Sequence, residues 1–204
     1  MPDRLPIDEV LPDLLSALAT GHAVLQAPPG AGKTTRVPLE LLAAPWLGDQ
    51  RIVMLEPRRM AARAAANRLA AQLGEQPGRR VGYRMRNDTK VSAATRVEVV
   101  TEGVLARMLQ EDPALETVGA VVFDEFHERS LHADLGLALT LDASTALRPD
   151  LRLLVMSATL DGERVARLLG DAALITSRGR QFDVETFYRP PLSARESEQH
   201  MADV

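Results

Sequence analysis

The feature that most constrains this chain is a short apolar run, Ala23 to Ala27, that passes directly into Pro28-Pro29-Gly30-Ala31-Gly32-Lys33-Thr34-Thr35 and then into a helical pattern reaching about Ala43. A buried strand that enters a glycine-rich turn and leaves as a helix is a building unit of parallel α/β sheets. Glycines are needed where backbone must wrap closely at angles a side chain would obstruct. The amides of such a turn, together with those of the helix start, converge on an anion. In this arrangement Lys33 is expected to reach the β- and γ-phosphate oxygens of a nucleotide and the Thr34 hydroxyl to ligate Mg²⁺. The full pattern asks for a glycine five residues before Gly32, and Ala27 stands there instead. On its own the segment therefore competes with a purely structural glycine turn, and its context has to decide.

That context is Val121-Val122-Phe123-Asp124-Glu125-Phe126-His127, an apolar strand ending in two adjacent carboxylates. In phosphoryl-transfer sites, one such acid holds Mg²⁺ and its neighbour orients or deprotonates the attacking water, which assigns these roles to Asp124 and Glu125. The competing explanation is a solvated helix start, where acids are favoured by the helix dipole. It leaves the glycine-rich turn about ninety residues upstream unexplained.

The rest of the chain reads as alternating strands and amphipathic helices. A helix is expected over 9 to 20, another from Thr34 kinked or shortened by Pro38, a strand over Ile52 to Glu56 and an Ala-rich helix from Met60 to Leu73. Strands follow near Val81 to Arg84, Arg96 to Thr101, Val118 to Phe123 and Leu151 to Met156, with helices over 103 to 110 and from Ala133 to about Leu147. Asp161 is expected to cap a helix stopped by Gly170, and Ala172 to Thr176 and Asp183 to Tyr188 read as the last strands. The fold class is α/β, a three-layer P-loop NTPase domain with a mainly parallel central sheet. It occupies residues 1–190, and 191–204 form a polar tail or linker.

Composition narrows the function further. There is no cysteine, and His22, His127, His132 and His200 show no metal-ligand spacing, so Cys-ligated zinc and disulfide frameworks are excluded. No signal peptide opens the sequence, and apolar runs such as Ala120 to Phe123 are far too short for a membrane span, which favours the cytoplasm. The net charge of −4 argues against a non-specific nucleic-acid coat. Between Arg51 and Lys90, however, ten basic residues face three acidic ones, which fits either a solvated helix face or a polyanion-binding surface.

With these residues placed, the chain resembles the first RecA-like lobe of DEAH-box helicases of superfamily 2, and within them the bacterial HrpB-type branch. Asp124-Glu125-Phe126-His127 is similar to their DEAH motif with Phe in third place, and Ser157-Ala158-Thr159-Leu160 to their motif III. Glu56-Pro57-Arg58-Arg59-Met60-Ala61-Ala62 resembles motif Ia, and Thr101-Glu102-Gly103 resembles motif Ib. The elements follow the family's order over about residues 5 to 190, and Ala27 is a variation that family tolerates. The resemblance implies nucleotide binding by Gly30, Ala31, Gly32, Lys33, Thr34 and Thr35, and metal binding by Thr34 and Asp124. Chemistry falls to Glu125, with Lys33 and His127, and coupling to Ser157 and Thr159. Arg68 would stack on the base. Arg58, Arg59, Thr101, Glu102 and Gly103 would contact the backbone of single-stranded RNA or DNA. For His127, Ser157, Thr159 and Arg68 the plain alternatives are a satisfied polar side chain, two helix caps and an exposed helix position.

The cofactors implied are ATP, or another NTP, and Mg²⁺. A complete helicase also needs a second RecA-like lobe, and no QRxGRxGR-like segment follows Thr159. The chain is thus expected to be a monomeric N-terminal lobe that binds nucleotide but hydrolyses it poorly alone. Two other readings stay open: a nucleotide-dependent binding module without productive hydrolysis, and a different P-loop ATPase of AAA or ABC type.

Overall fold

The structure, a computed structural model, describes residues 4–159 and 162–179. Five of its strands are nearly all apolar, and the sheet buries both of their faces. In β1 (Ala23–Gln26), β2 (Arg51–Glu56), β5 (Val97–Thr101), β6 (Val118–Phe123) and β7 (Arg152–Ser157), successive side chains enter opposite cores. Leu25, Met54, Val99, Val122 and Met156 point into one core, and Val24, Val53, Val100, Val121 and Val155 into the other. This is the period-two geometry of a strand covered on both sides.

Helices α1 (Leu11–Thr20), α2 (Lys33–Leu42) and α3 (Arg59–Gln72) supply the first core. Helices α4 (Glu102–Glu111), α5 (Leu131–Ala146) and α6 (Gly162–Leu168) supply the second. The alanines Ala62, Ala65, Ala66 and Ala70 on the inner face of α3 let that helix lie close to the sheet.

Three further strands, β3 (Val81–Met85), β4 (Asp88–Lys90) and β8 (Ala173–Thr176), complete an eight-stranded sheet of order β4-β3-β5-β2-β6-β7-β1-β8. Every pairing among the described residues is parallel except the β3–β4 hairpin. This confirms the three-layer α/β expectation. No helix among the described residues is long and apolar enough to cross a membrane.

Several local expectations need correction. The first helix starts at Leu11 rather than residue 9, after a separate 3₁₀ turn over Pro6–Glu9, because Pro12 is tolerated only in a first helical turn. Pro38 does not end the helix that contains it, which runs through it to Leu42. The one backbone bond it removes is offset by burial of Val37, Pro38 and Leu41 in the core. Helix α5 begins two residues early because the Ser130 hydroxyl accepts the amide of Ala133 at 2.9 Å and caps it. Strand β4 was not expected at all: its three polar residues carry no apolar alternation. The expected cap Asp161, the strand Asp183 to Tyr188 and the tail 191–204 lie outside the described residues.

Candidate nucleotide site and nucleic-acid interface

The carboxyl edge of the sheet collects the residues singled out above, apart from Arg68. Along that edge come the loop after β1, then Ser157 ending β7, Asp124 following β6, Glu56 ending β2 and Thr101 ending β5. Register fixes this order. Gln26 lies beside Ser157, Val155 beside Phe123, Leu55 beside Phe123, and Glu56 beside Thr101. Open parallel sheets place ligands at this edge.

The glycine-rich loop has the geometry of an anion cradle. Gly30 and Gly32 have φ of 77° and 98°, in the left-handed region. A Cβ on Gly32 would also stand 2.7 Å from Leu5 Cδ1, whereas one on Gly30 would meet nothing within 4 Å. The loop is tied down by the Ile7 amide, which donates to Ala31 O at 3.1 Å. Lys33 is buried, and its ammonium folds back to donate to Ala27 O at 2.7 Å and Pro28 O at 3.3 Å. Among the described residues the amides of Gly30, Gly32, Lys33 and Thr34 find no acceptor, which leaves the donor set that a phosphate requires. Arg68 is exposed on α3, one turn before Gln72, whose side-chain amide donates to Thr35 O at 3.1 Å.

Beside the loop stands a buried acidic pair. Thr34 Oγ1 donates to Asp124 Oδ2 at 2.5 Å, and Asp124 Oδ1 accepts the Glu125 amide at 2.8 Å. Glu56, also buried, hydrogen bonds with Asp124. Burial first, and then the Asp124 charge and that hydrogen bond, push the Glu56 carboxyl up to about 9. Burial likewise raises Asp124, while its bonds from Thr34 and Glu56 pull it down. Both carboxyls are therefore drawn towards the protonated form, Glu56 most of all. Two buried carboxyls side by side, both raised by burial, form a place where a cation would be favoured. Among the described residues no three or more His, Cys, Asp or Glu side chains form a self-sufficient metal cage. A hydroxyl and a carboxylate, completed by phosphate oxygens, suit Mg²⁺ rather than a protein-only metal site.

Glu125 adopts a left-handed conformation at φ 48°, uncommon for a residue with a side chain, and opens a tight turn over Phe126–Glu128. His127 Nδ1 lies 3.3 Å from Glu125 Oε2 and 3.4 Å from the amide of Ala158 in the loop after β7. The turn after β6 thus touches the loop after β7. Ser157 is fully buried, its hydroxyl without a partner, and it caps no helix among the described residues; Thr159 is exposed.

Arg58, the residue preceding α3, pairs with Glu128 at 3.1 Å, and Arg59 donates to Arg86 O at 3.1 Å. Thr101 precedes α4, Glu102 opens it and accepts from Ser130 Oγ at 2.6 Å, and Gly103 is exposed. A cleft of about 250 Å³ lies among Arg58, Glu102, Asp124, Glu125, Glu128 and Ser130. The two segments predicted to meet nucleic acid therefore border the acids directly.

A family model described as DEAD/DEAH box helicase matches residues 8–168. The chain belongs to that family. It is 56% identical over 187 residues to the ATP-dependent RNA helicase HrpB of Escherichia coli (strain K12), covering 91% of this chain and 23% of that protein. Against the ATP-dependent RNA helicase HrpA of the same organism it is 38% identical over 190 residues, 93% of this chain and 14% of that protein. The crystal structure of the E. coli DExH-box NTPase HrpB superposes with a TM-score of 0.85 at 55% identity, covering 91% of this chain and 23% of the other. The chain thus spans less than a quarter of the length of these relatives. Its eight-stranded sheet is the RecA-like fold of this helicase family.

Sequence reasoning about this DEAD/DEAH domain missed Glu56 as a member of the acidic site, although the signal was present. Like the strand before Asp124, the apolar run Ile52–Leu55 ends in a carboxylate, and parallel register between β2 and β6 makes such ends neighbours. It also missed Glu128 and Ser130, whose partners lie 70 and 28 residues away and leave no periodic trace.

Proposed function

We propose that this chain is the first RecA-like lobe of an ATP-dependent helicase that acts on single-stranded RNA or DNA. In this reading Gly30, Ala31, Gly32, Lys33, Thr34 and Thr35 bind nucleotide, Thr34 and Asp124 hold Mg²⁺, and Arg68 stacks on the base. The observation that carries it is the 2.5 Å contact of Thr34 with Asp124, which joins the glycine-rich loop to the acidic turn across 90 residues of sequence. Family membership supports nucleotide binding, and the relatives are named ATP-dependent RNA helicases.

On binding, Lys33 exchanges the carbonyls of Ala27 and Pro28 for phosphate oxygens, and the free loop amides donate to the same anion. When bound, Mg²⁺ held by Thr34 and Asp124 would supply charge neutralisation at the phosphate oxygens of the nucleotide. Glu125 orients water and accepts its proton, and its left-handed backbone holds that carboxylate at the site. His127, in contact with Glu125 and Ala158, passes the state of the site to Ser157 and Thr159. Arg58, Arg59, Thr101, Glu102 and Gly103 form the strand-binding edge, which contacts backbone and reads no bases.

In the same reading, residues 1–190 are the lobe and 191–204 lead towards a second lobe of a monomeric, cytoplasmic protein. The second lobe is needed for efficient hydrolysis. The test is the ATPase rate of the full-length protein with and without single-stranded RNA or DNA, beside Lys33→Ala and Glu125→Gln. Stimulation by a strand, lost in both variants, is the expected result. A full-length protein indifferent to both nucleic acids overturns the reading.

A further inference from the structure

The turn Phe126–Glu128 is bracketed by two residues with positive φ, Glu125 at 48° and Arg129 at 44°, neither of them glycine. Such conformations persist only where surrounding contacts over-determine them. Two contacts reach this turn and the residues just after it from the strand-binding edge. Glu128 accepts from Arg58 Nε at 3.1 Å, and Ser130 Oγ donates to Glu102 Oε1 at 2.6 Å. The two differ in kind. Arg58 has 73% and Glu128 34% of its side chain exposed, so water and salt weaken the pair and a competing anion can replace it. Ser130 and Glu102 are both partly buried, and Ser130 additionally caps α5, so this contact is the fixed one.

We propose that Glu128 is a positioning residue for the hydrolytic turn. It holds Arg58 while the strand site is empty, and a nucleic-acid phosphate takes Arg58 from it. The inference rests on the function proposed above. A backbone phosphate offers Arg58 the same charge as the Glu128 carboxylate and a bidentate geometry besides. Once it has exchanged partners, the side-chain hydrogen bond that still ties the segment after Glu125 to this edge among the described residues is that of Ser130 with Glu102. Strand binding at β2 thereby reaches the water-activating carboxylate at β6 without any movement of the sheet between them.

The exchange has a thermodynamic signature that a merely structural role would not produce. If a strand must displace Glu128 from Arg58, removing the Glu128 charge strengthens strand binding. Glu128→Gln in the full-length protein should bind a fluorescein-labelled single-stranded oligonucleotide about two- to fivefold more tightly, the range an exposed ion pair commands. The strand-free ATPase rate should rise, and the ratio of stimulated to basal rate should fall. In an Arg58→Ala background the same substitution should leave strand affinity unchanged, because the competition has gone. Unaltered or weakened strand binding by Glu128→Gln, in a protein whose wild type is stimulated, overturns this inference and leaves the helicase reading standing. A wild type that binds no strand defeats the helicase reading itself.

Discussion

Thr34, second residue of α2, donates to Asp124 at 2.5 Å, and this one bond joins the two segments on which the nucleotide reading depends. Asp124 in turn sits beside the buried Glu56, so one carboxylate links the loop hydroxyl to a second carboxyl. Charged hydrogen bonds of this kind are worth about 1.5–3 kcal/mol.

From that arrangement the first prediction follows. Asp124→Asn keeps the size of the side chain but removes the charge that would hold Mg²⁺. It should weaken binding of a fluorescent adenine nucleotide by roughly ten- to a hundredfold when Mg²⁺ is present. In EDTA the variant and the wild type should bind alike. Equal loss with and without Mg²⁺ would assign Asp124 to the loop's architecture instead.

The Glu56 proton sets a dependence of stability on pH. Its carboxyl is raised from 4.5 to about 9, so between these values the folded chain keeps a proton that the unfolded chain has released. The folded state binds more protons, and stability therefore falls as pH rises from about 4.5 to 9. Asp124, raised as well, adds to the same slope, and the facing charges are Asp124, Glu125 and Glu128. Glu56→Gln should melt at nearly the same temperature at pH 5 and higher than wild type at pH 9, measured by circular dichroism without Mg²⁺. Parallel melting curves for the two proteins across that range would refute a buried proton on Glu56.

How much of this was legible beforehand follows from where the information lies. The strands are covered on both faces, so their apolar runs stood out, and the glycine-rich turn and the acids at their ends could be placed. β4 is an edge strand of Asp88, Thr89 and Lys90 held by its pairing with β3, and such pairing leaves no trace in three polar residues. Glu56 appeared only as a neighbour of Arg58 in one motif. Its role comes from parallel register between β2 and β6, a relation between segments 68 residues apart. Arg58 was expected to meet nucleic acid, but its partner Glu128 belongs to a different motif.

The two loop glycines should respond differently to the same change. Both need positive φ, which costs an alanine about 1–2 kcal/mol. At Gly32 the added Cβ also meets Leu5 and Ile7 at 2.7 and 3.1 Å, and overpacking of that kind costs roughly another 1–3 kcal/mol. Gly32→Ala should therefore lower the melting temperature more than Gly30→Ala, and should alone disturb the contact of the loop with the N-terminal turn. Urea denaturation of both variants decides this; equal midpoints would show that the Leu5 side chain simply moves aside.

Glu98 is the last test, and it concerns the arginine-rich side of the sheet. It is completely buried in β5, yet its two oxygens accept from Arg51 at 3.1 Å and Arg84 at 2.6 Å on the strands to either side. Removing one partner of a buried pair can cost 3–5 kcal/mol when the other is left without water. Here both guanidinium groups keep access to solvent, with 32% and 42% of their side chains exposed, so the penalty should be smaller. Glu98→Gln retains an acceptor and should cost about 1–2 kcal/mol, the difference between charged and neutral hydrogen bonds. Glu98→Ala, which also leaves a cavity at this buried position, should cost roughly 2–4 kcal/mol. If Glu98→Gln proved as damaging as Glu98→Ala by denaturant titration, the carboxylate charge itself would be what holds the three strands in place.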